Sequence, residues 1–64
     1  MITYDPFWKT IKEKNVSTYK LIKDYKISSS TIDRLRSNKA ISTTTVNTLC
    51  EHLDCEVEDI LKYS

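Results

Sequence analysis

Apolar residues recur along the 64-residue chain at mixed three- and four-residue steps, the spacing of helices that each bury one face. Five short segments show this spacing, and no segment alternates apolar and polar residues convincingly enough for a strand. The pattern therefore predicts an all-α fold of five short helices.

The first, fourth and fifth predicted helices flank a central pair. Asp5 followed by Pro6 is a strong helix start, an acidic N-cap before proline at the first helical position, and Asn15 is the expected end. Ser42 opens the fourth helix, and the fifth begins near Val57, with acidic residues that favour its N-terminal dipole. The residues expected on the buried faces are Phe7, Trp8 and Ile11, then Val46, Leu49, Cys50 and Leu53, then Ile60 and Leu61.

A helix-turn-helix pattern occupies the centre of the chain, at about residues 17–37. Ser17 and Ser28 are good N-cap residues for two short helices. Between these helices, the segment Asp24–Ile27 is too short for an antiparallel pair and suits a steep crossing angle. The apolar stripes predicted to face the core are Tyr19, Leu21, Ile22 and Tyr25, then Ile32 and Leu35.

Small hydroxyl residues open the second helix of this motif, at Ser28, Ser29, Ser30 and Thr31. Such residues keep a helix start slim enough to enter the major groove of DNA, and each offers one hydrogen-bond donor and two acceptor lone pairs. Helix capping alone would also explain the cluster, because most capped helices contact no nucleic acid.

Charge is divided unevenly along the chain. Residues 1–40 carry nine Lys and Arg against four acids, a balance of +5, whereas residues 41–64 carry one Lys against five acids, a balance of −4. The basic part contains the helix-turn-helix pattern and suits a polyanion, while phosphates would repel the acidic part. Lysines that serve only solubility are the simpler alternative.

The length limits the chain to one domain, residues 1–64, near the lower limit for folding on a hydrophobic core alone. It leaves no room for a catalytic cleft of ordinary depth, and no nucleophile, acid and base are arranged for catalysis, so an enzyme is not expected. The N-terminus lacks the layout of a secretory signal, and no apolar run approaches the roughly 20 residues of a membrane span. We expect a soluble, cytoplasmic protein without membrane association.

Glycine is absent, although tight turns between helices usually recruit it for positive φ angles. The residues at the expected turns are Lys26, Asn38 and Asp54. Because Asn and Asp tolerate the left-handed region fairly well, only Lys26 is expected to strain its turn.

The residues Cys50, His52 and Cys55 could suggest a metal site. Their directions diverge on one helix and a fourth ligand is missing, whereas structural zinc requires four ligands in a tetrahedral array. The cysteines are better interpreted as buried thiols than as a disulfide. No metal, cofactor or small-molecule ligand is expected.

Four pieces of the chain, between residues 18 and 61, match the spacing of a known family whose likeness extends from about Phe7 to Leu61. They are Thr18-x-x-Leu21, Ile27-Ser28-Ser29-Ser30-Thr31-Ile32-x-x-Leu35, Asn38-Lys39 and Leu49-x-x-x-Leu53-x-Cys55-x-Val57-x-x-Ile60-Leu61. Through them the chain resembles the DNA-binding domain of Cro and lambda-type repressors, a family of phage and bacterial regulators. The resemblance implies a compact five-helix lambda-repressor-like DNA-binding domain.

The resemblance also implies roles for individual residues. Early residues of the third helix reach base edges in this family, here Ser29 and Ser30, and Arg34 follows one turn later. An arginine fork can bind guanine O6 and N7 together. The residues implied to lie near phosphates and fix the register are Ser17, Thr18, Ser28 and Lys39. Further candidates are Thr31, Asp33 and Arg36, of which Asp33 is expected to orient a base-contacting neighbour.

Two features depart from the family pattern. The usual turn glycine is replaced by Lys26, and the common arginine of the first helix and glutamate of the third are replaced by Ile11 and Arg36. Because an apolar Ile11 needs no counter-ion, Arg36 is free to lie in solvent or to touch a phosphate.

The resemblance and the charge division together favour a sequence-specific DNA-binding transcriptional regulator that docks its third helix, about Ser29–Ser37, in the major groove. The resemblance to this family implies that the regulator is a repressor. One short helix contacts too few base pairs to select a genomic site, so a homodimer on double-stranded DNA is expected. The alternative is a protein-interaction module on the same scaffold, whose acidic C-terminal part binds a basic partner and which has little or no specific DNA binding.

Overall fold

Helices account for most of the computed structural model, which describes all of residues 1–64. The α-helices are α1 (Asp5–Glu13), α2 (Thr18–Lys23), α3 (Ser29–Arg36) and α4 (Thr43–Leu53). A 3₁₀ turn follows at Val57–Asp59, and the short strands β1 (Ile2–Thr3) and β2 (Lys62–Tyr63) lie near the two ends. The all-α helix-turn-helix class is confirmed, but the predicted fifth helix is only a single 3₁₀ turn.

The two strands pair antiparallel, with Ile2 opposite Tyr63 and Thr3 opposite Lys62. The expectation that the chain holds no strand was therefore wrong. Two residues are too few to show an alternating pattern, so neither strand could be recognised from the order of its residues. Their pairing brings the beginning and the end of the chain together.

Serine hydroxyls begin three of the four helices, as predicted. The Oγ atoms of Ser17, Ser28 and Ser42 accept the N–H of the residue three positions later, at 3.1, 3.2 and 3.1 Å. Each cap satisfies a donor that the first helical turn leaves unpaired, and removing such a cap costs about 1 kcal/mol. Local chemistry therefore sets where α2, α3 and α4 start.

The first helix starts one residue earlier than predicted. The Trp8 N–H donates to the Tyr4 carbonyl at 3.3 Å, so Tyr4 rather than Asp5 is the N-cap and Pro6 lies inside the first turn. Tyr4 is held there because its own N–H donates to Asn38 Oδ1 at 3.1 Å. Since Asn38 lies 34 residues away, no local pattern could show this start.

Four turns carry a residue in the left-handed region, where φ is 60° at Asn15, 60° at Lys26, 56° at Asn38 and 50° at Asp54. The last three were the predicted turn residues. Asn15, expected to end the first helix, lies two residues beyond the last helical residue, Glu13. In all four turns the next N–H donates to a carbonyl near the end of the preceding helix, which closes that helix.

Apolar side chains from all four helices meet in one core. Its buried members are Tyr4, Phe7, Ile11, Leu21, Ile27, Ile32, Leu35, Leu49, Leu53 and Ile60. Val46 is buried as predicted, whereas Trp8, Cys50 and Leu61 are only half-buried at the edge of the core. None of the helices has the length and apolar character needed to cross a membrane.

Helix α2 buries less than its apolar pattern predicted. Leu21 is fully buried and Tyr25, beyond the helix, is half-buried, but Tyr19 is 67% exposed and Ile22 40% exposed. Six residues make less than two turns, so only a narrow side of α2 can face the core. Tyr19 instead lies in solvent beneath Lys23, whose Nζ is 5.6 Å from the ring centroid.

Candidate nucleic-acid interface

The outer side of α3 is a continuous polar surface. Apart from Arg36, whose guanidinium lies near Trp8 of α1, its exposed residues are Ser29, Ser30, Asp33 and Arg34, followed by the C-cap residue Ser37. At about 100° of rotation per residue these five positions span about 140° of the helix circumference. Ile32 and Leu35 point the opposite way into the core. The helical rotation was the signal that could have added Ser37 to the predicted site.

Arg34 is the free cation of this surface. Its side chain is exposed and makes neither a hydrogen bond nor an ion pair within the chain. The neighbouring backbone is fixed, because the Arg34 carbonyl accepts the Lys39 N–H at 2.9 Å. The guanidinium group is therefore available to a ligand, and the backbone that carries it is held in place by this hydrogen bond.

The hydroxyl groups at the start of α3 are not equivalent. Ser28 Oγ lies 3.1 Å from Ser30 Oγ and 2.9 Å from Thr31 Oγ1, so these three hydroxyls form one hydrogen-bonded cap. Ser29 is exposed and has no partner within the chain. Of the predicted base-contacting serines, Ser29 is therefore the one whose hydroxyl is fully available, while Ser30 must share its capacity with the cap.

Ser17 and Thr18 lie at the start of α2, on the other helix of the motif, where Ser17 is exposed and Thr18 half-buried. The Ile27 N–H donates to the Leu21 carbonyl at 3.1 Å, which folds the turn back on α2. Leu21 and Ile27 share one buried cluster with Ile32 of α3. The core thus holds the two capped helix starts in a fixed relation.

Lys39 follows α3 in a segment that is anchored on both sides. Its N–H donates to Arg34, and its carbonyl accepts the Tyr4 hydroxyl at 2.7 Å. The Lys39 side chain itself is exposed. A cation carried on such a fixed backbone suits the predicted role of positioning a phosphate.

Arg36 makes a contact that the sequence did not predict. Its guanidinium carbon lies 5.7 Å from the centroid of the Trp8 ring on α1, and its Nη1 lies 3.8 Å from Asp33 Oδ1. Ile11 is buried, as its apolar side chain implied. A cation–π contact therefore connects α1 to α3. Asp33 pairs with Arg36 in the free protein, and its role toward a base-contacting side chain remains a prediction.

One flank of α4 faces the motif, and the sequence reasoning assigned none of its residues to the site. Thr45 and Thr48 line a cleft of about 260 Å³ together with Thr31 at the start of α3. Further along, the His52 ring stacks on Tyr25 with centroids 4.8 Å apart and planes inclined by 4°. Helix α4 thus supports the turn and the start of α3 from behind.

The two cysteines lie apart from this surface. Both are free and half-buried. Burial, reinforced by the neighbouring Cys50, raises the pKa of the Cys55 thiol to about 11. That thiol is protonated at neutral pH, whereas metal ions are bound by thiolates. No three His, Cys, Asp or Glu side chains are grouped to hold a metal ion.

Residues 7–64 match the family model of the Cro/C1-type HTH DNA-binding domain. The chain belongs to this family. The predicted resemblance is therefore confirmed, and DNA binding is the activity that defines a Cro/C1-type domain.

The structure is similar to the crystal structure of the transcriptional regulator VanUg, Form II. The two structures superpose with a TM-score of 0.87 and share 28% sequence identity. The aligned region covers 95% of this chain and 81% of the VanUg chain. No curated protein sequence matches this Cro/C1-type chain.

Proposed function

We propose that this chain is a sequence-specific transcriptional repressor that docks α3 in the major groove of double-stranded DNA as a homodimer. The main support for this proposal is the outer side of α3, where the unpaired guanidinium of Arg34 lies on the same exposed side as Ser29 and Ser30. The regulator VanUg shares the fold at 28% identity, which supports a role in transcription. The chain acts by binding rather than by catalysis.

Arg34 supplies most of the sequence discrimination in this proposal. A guanidinium fork can donate two hydrogen bonds to guanine O6 and N7, a pair worth about 1–3 kcal/mol against a wrong base. A serine hydroxyl donates and accepts, so Ser29 and Ser30 discriminate less sharply. The preference for guanine should therefore lie at the base pair facing Arg34.

Positioning on the duplex comes from the phosphate contacts. The starts of α2 and α3 present backbone N–H groups and the hydroxyls of Ser17, Thr18 and Ser28, which suit phosphate oxygens. Lys39 adds a cation beyond the end of α3. These contacts fix the register without selecting bases.

Two copies of the chain are needed for a specific site. An eight-residue helix such as α3 contacts only a few base pairs. In helix-turn-helix dimers the two recognition helices lie about 34 Å apart, one turn of DNA, and bind a palindrome. Repression requires only that the bound dimer occupies the DNA.

Selection from random duplex DNA tests this function. The expected result is an enriched palindrome whose half-sites are spaced by one helical turn. Arg34→Ala should relax the preference at one base pair of each half-site by about 1–3 kcal/mol. The matched variant Lys39→Ala should weaken binding to all sequences evenly and reduce the salt slope by about 1.

Two outcomes would contradict the proposal. One is the absence of any enriched sequence, with only weak and steeply salt-dependent binding. The other is an enriched sequence whose preference is the same in Arg34→Ala as in the wild type. An Arg34→Glu variant that loses no DNA affinity would likewise favour a protein-interaction module on this scaffold.

A further inference from the structure

The segment that carries Lys39 joins the end of α3 to the start of α4. Asn38, Lys39 and Ala40 follow the C-cap of α3, belong to no helix or strand, and are all exposed. Neither the hydrogen-bond ladder of a helix nor the burial of side chains therefore fixes the backbone at these three residues. Their conformation depends on the hydrogen bonds that the segment makes with other parts of the chain.

Tyr4 supplies two of these hydrogen bonds from near the beginning of the chain. Its N–H donates to Asn38 Oδ1 at 3.1 Å, and its hydroxyl donates to the Lys39 carbonyl at 2.7 Å. The Lys39 N–H donates in turn to the Arg34 carbonyl of α3 at 2.9 Å. Tyr4 thus holds two successive residues of the segment, one through its backbone and one through its side chain.

Tyr4 is itself firmly held. Its side chain is 3% exposed and belongs to the hydrophobic core. Its carbonyl accepts the Trp8 N–H at the start of α1, and the strand just before it, β1, pairs with β2. Because close packing restricts the rotamer of a buried ring, the hydroxyl at its end has a fixed position. The Lys39 backbone is therefore bonded to a group that belongs to the core.

We propose that Tyr4 is a positioning residue for DNA binding, which holds the backbone of Asn38 and Lys39 so that the Lys39 ammonium group is placed for a phosphate before DNA binds. The inference rests on the proposed function, in which Lys39 contacts a phosphate. Fixing a backbone segment costs conformational entropy, and a segment that is already fixed does not incur this cost on binding. Tyr4 therefore raises DNA affinity without touching the DNA.

Tyr4 lies outside the residues that match the Cro/C1-type family model, which begin at residue 7. The conformation of Asn38 fits its contact with Tyr4. Its φ is 56°, in the left-handed region that glycine adopts most readily, but glycine has no side-chain oxygen to accept the Tyr4 N–H. Asparagine at this position therefore makes the turn and the hydrogen bond together.

A purely structural role for Tyr4 is the alternative to be tested. The ring contributes its apolar atoms to the core, whereas the hydroxyl contributes the hydrogen bond to the Lys39 carbonyl. Tyr4→Phe removes the hydroxyl and keeps the ring, so it separates the two contributions. The matched control is Tyr19→Phe, which removes a hydroxyl from a ring that is 67% exposed.

The first experiment measures amide hydrogen exchange by NMR and needs no DNA. The Lys39 and Cys55 amides form a matched pair, because each follows a left-handed residue and donates to the carbonyl five positions earlier, at 2.9 and 3.1 Å. Tyr4→Phe should accelerate exchange at Lys39 by about three- to tenfold relative to Cys55, and Tyr19→Phe should not. Equal acceleration at both amides, or none at Lys39, would overturn the inference.

The second experiment measures affinity for the enriched duplex by fluorescence anisotropy, in a double-mutant cycle of Tyr4→Phe and Lys39→Ala. Tyr4→Phe alone should weaken binding by about three- to tenfold, evenly across sequences. In the Lys39→Ala background the same change should have little further effect, because the cation that Tyr4 positions is gone. Thermal melting by circular dichroism confirms that each variant is folded at the assay temperature.

A loss of the same size in both backgrounds would mean that the Tyr4 hydroxyl acts through stability alone, and no loss in either would mean that Lys39 needs no positioning. Both results would overturn the inference and leave the DNA-binding function intact. Absence of sequence-specific binding in the wild type would instead contradict the proposed function, and this inference with it.

Asn38→Gly tests the other hydrogen bond of Tyr4. Glycine keeps the left-handed turn without strain, so the variant is expected to fold, but it removes the oxygen that accepts the Tyr4 N–H. It should weaken DNA binding in the wild-type background and have little effect in Lys39→Ala. Affinity equal to that of the wild type would contradict the inference.

Discussion

At the scale of single residues, Lys26 adopts a backbone conformation that its side chain disfavours. Its φ of 60° lies in the left-handed region, which costs a residue with a Cβ about 1–2 kcal/mol. The other three residues in this region are two Asn and one Asp, which tolerate it better. Strain in the turns is therefore concentrated between α2 and α3.

Replacing Lys26 by glycine should stabilise the fold. Relief of the Cβ clash is partly offset by the greater freedom of glycine in the unfolded chain, which leaves a net gain of about 0.5–1 kcal/mol. For a chain of this size a gain of 1 kcal/mol raises Tm by about 4–8 °C. Lys26→Ala keeps the Cβ and should not raise Tm, and a fall in Tm for Lys26→Gly would contradict the prediction.

The thiol of Cys55 makes stability depend on alkaline pH. Its pKa rises from 9.0 to about 11 on folding, mainly through burial, so the folded state holds the proton more tightly than the unfolded state does. The stability linked to this proton is present below pH 9 and is lost as pH rises through about 11. Urea midpoints should fall over this window more steeply in the wild type than in Cys55→Ala. Equal slopes would show that the thiol is not coupled to folding.

At the scale of whole elements, the sequence predicted what local chemistry decides. The serine caps at Ser17, Ser28 and Ser42 act within three residues, so their positions were right. The predicted start of α1 was wrong because the observed start depends on a hydrogen bond to Asn38, far along the chain. The exposure of Tyr19 was missed because the six residues of α2 are too few for their apolar spacing to show which side is buried.

The candidate site divides in the same way. The exposed side of α3 follows from its rotation and was predictable, since Ile32 and Leu35 define the buried side. The contact between Arg36 and Trp8 joins α1 to α3 across the fold, and a single sequence contains no signal for such a pair. Packing between α1 and α3 therefore engages Arg36 and leaves Arg34 as the arginine of α3 without a partner in the chain.

The stack of His52 on Tyr25 should couple α4 to the helix-turn-helix turn. Aromatic pairs in this geometry contribute about 0.5–1.5 kcal/mol beyond their buried area. A double-mutant cycle of Tyr25→Leu and His52→Ala, followed by urea unfolding, should give a coupling energy in that range. The same cycle with Glu51→Ala, an exposed residue of α4 that bonds only Asn47, serves as the control. Equal coupling in both cycles would mean that the stack contributes nothing.

At the scale of the whole molecule, the charge division orients the chain on its ligand. Residues 1–40 have a balance of +5 and residues 41–64 a balance of −4, so the net charge of +1 understates the attraction that the motif exerts on phosphates. Screening at physiological salt limits this attraction to about 8 Å. The position of a charge should therefore matter more than the net charge.

Two substitutions with the same net-charge change can test this. Asp24 follows α2 and Glu58 lies in the 3₁₀ turn, and both are exposed and without an ion pair. Asp24→Asn should strengthen DNA binding at low salt by about two- to threefold, whereas Glu58→Gln should leave it nearly unchanged. Fluorescence anisotropy with a fixed duplex measures both. Equal gains would mean that only net charge counts.

The separation of the two sides of α3 has a consequence for evolution. Ile32 and Leu35 hold the helix in the core, while Ser29, Ser30 and Arg34 contribute nothing to that packing. Substitutions at Ser29 and Arg34 can therefore accumulate without loss of core packing, and each new combination can recognise a different DNA sequence. Proteins that descend from this chain can therefore change the DNA sequence they bind while they keep the same hydrophobic core.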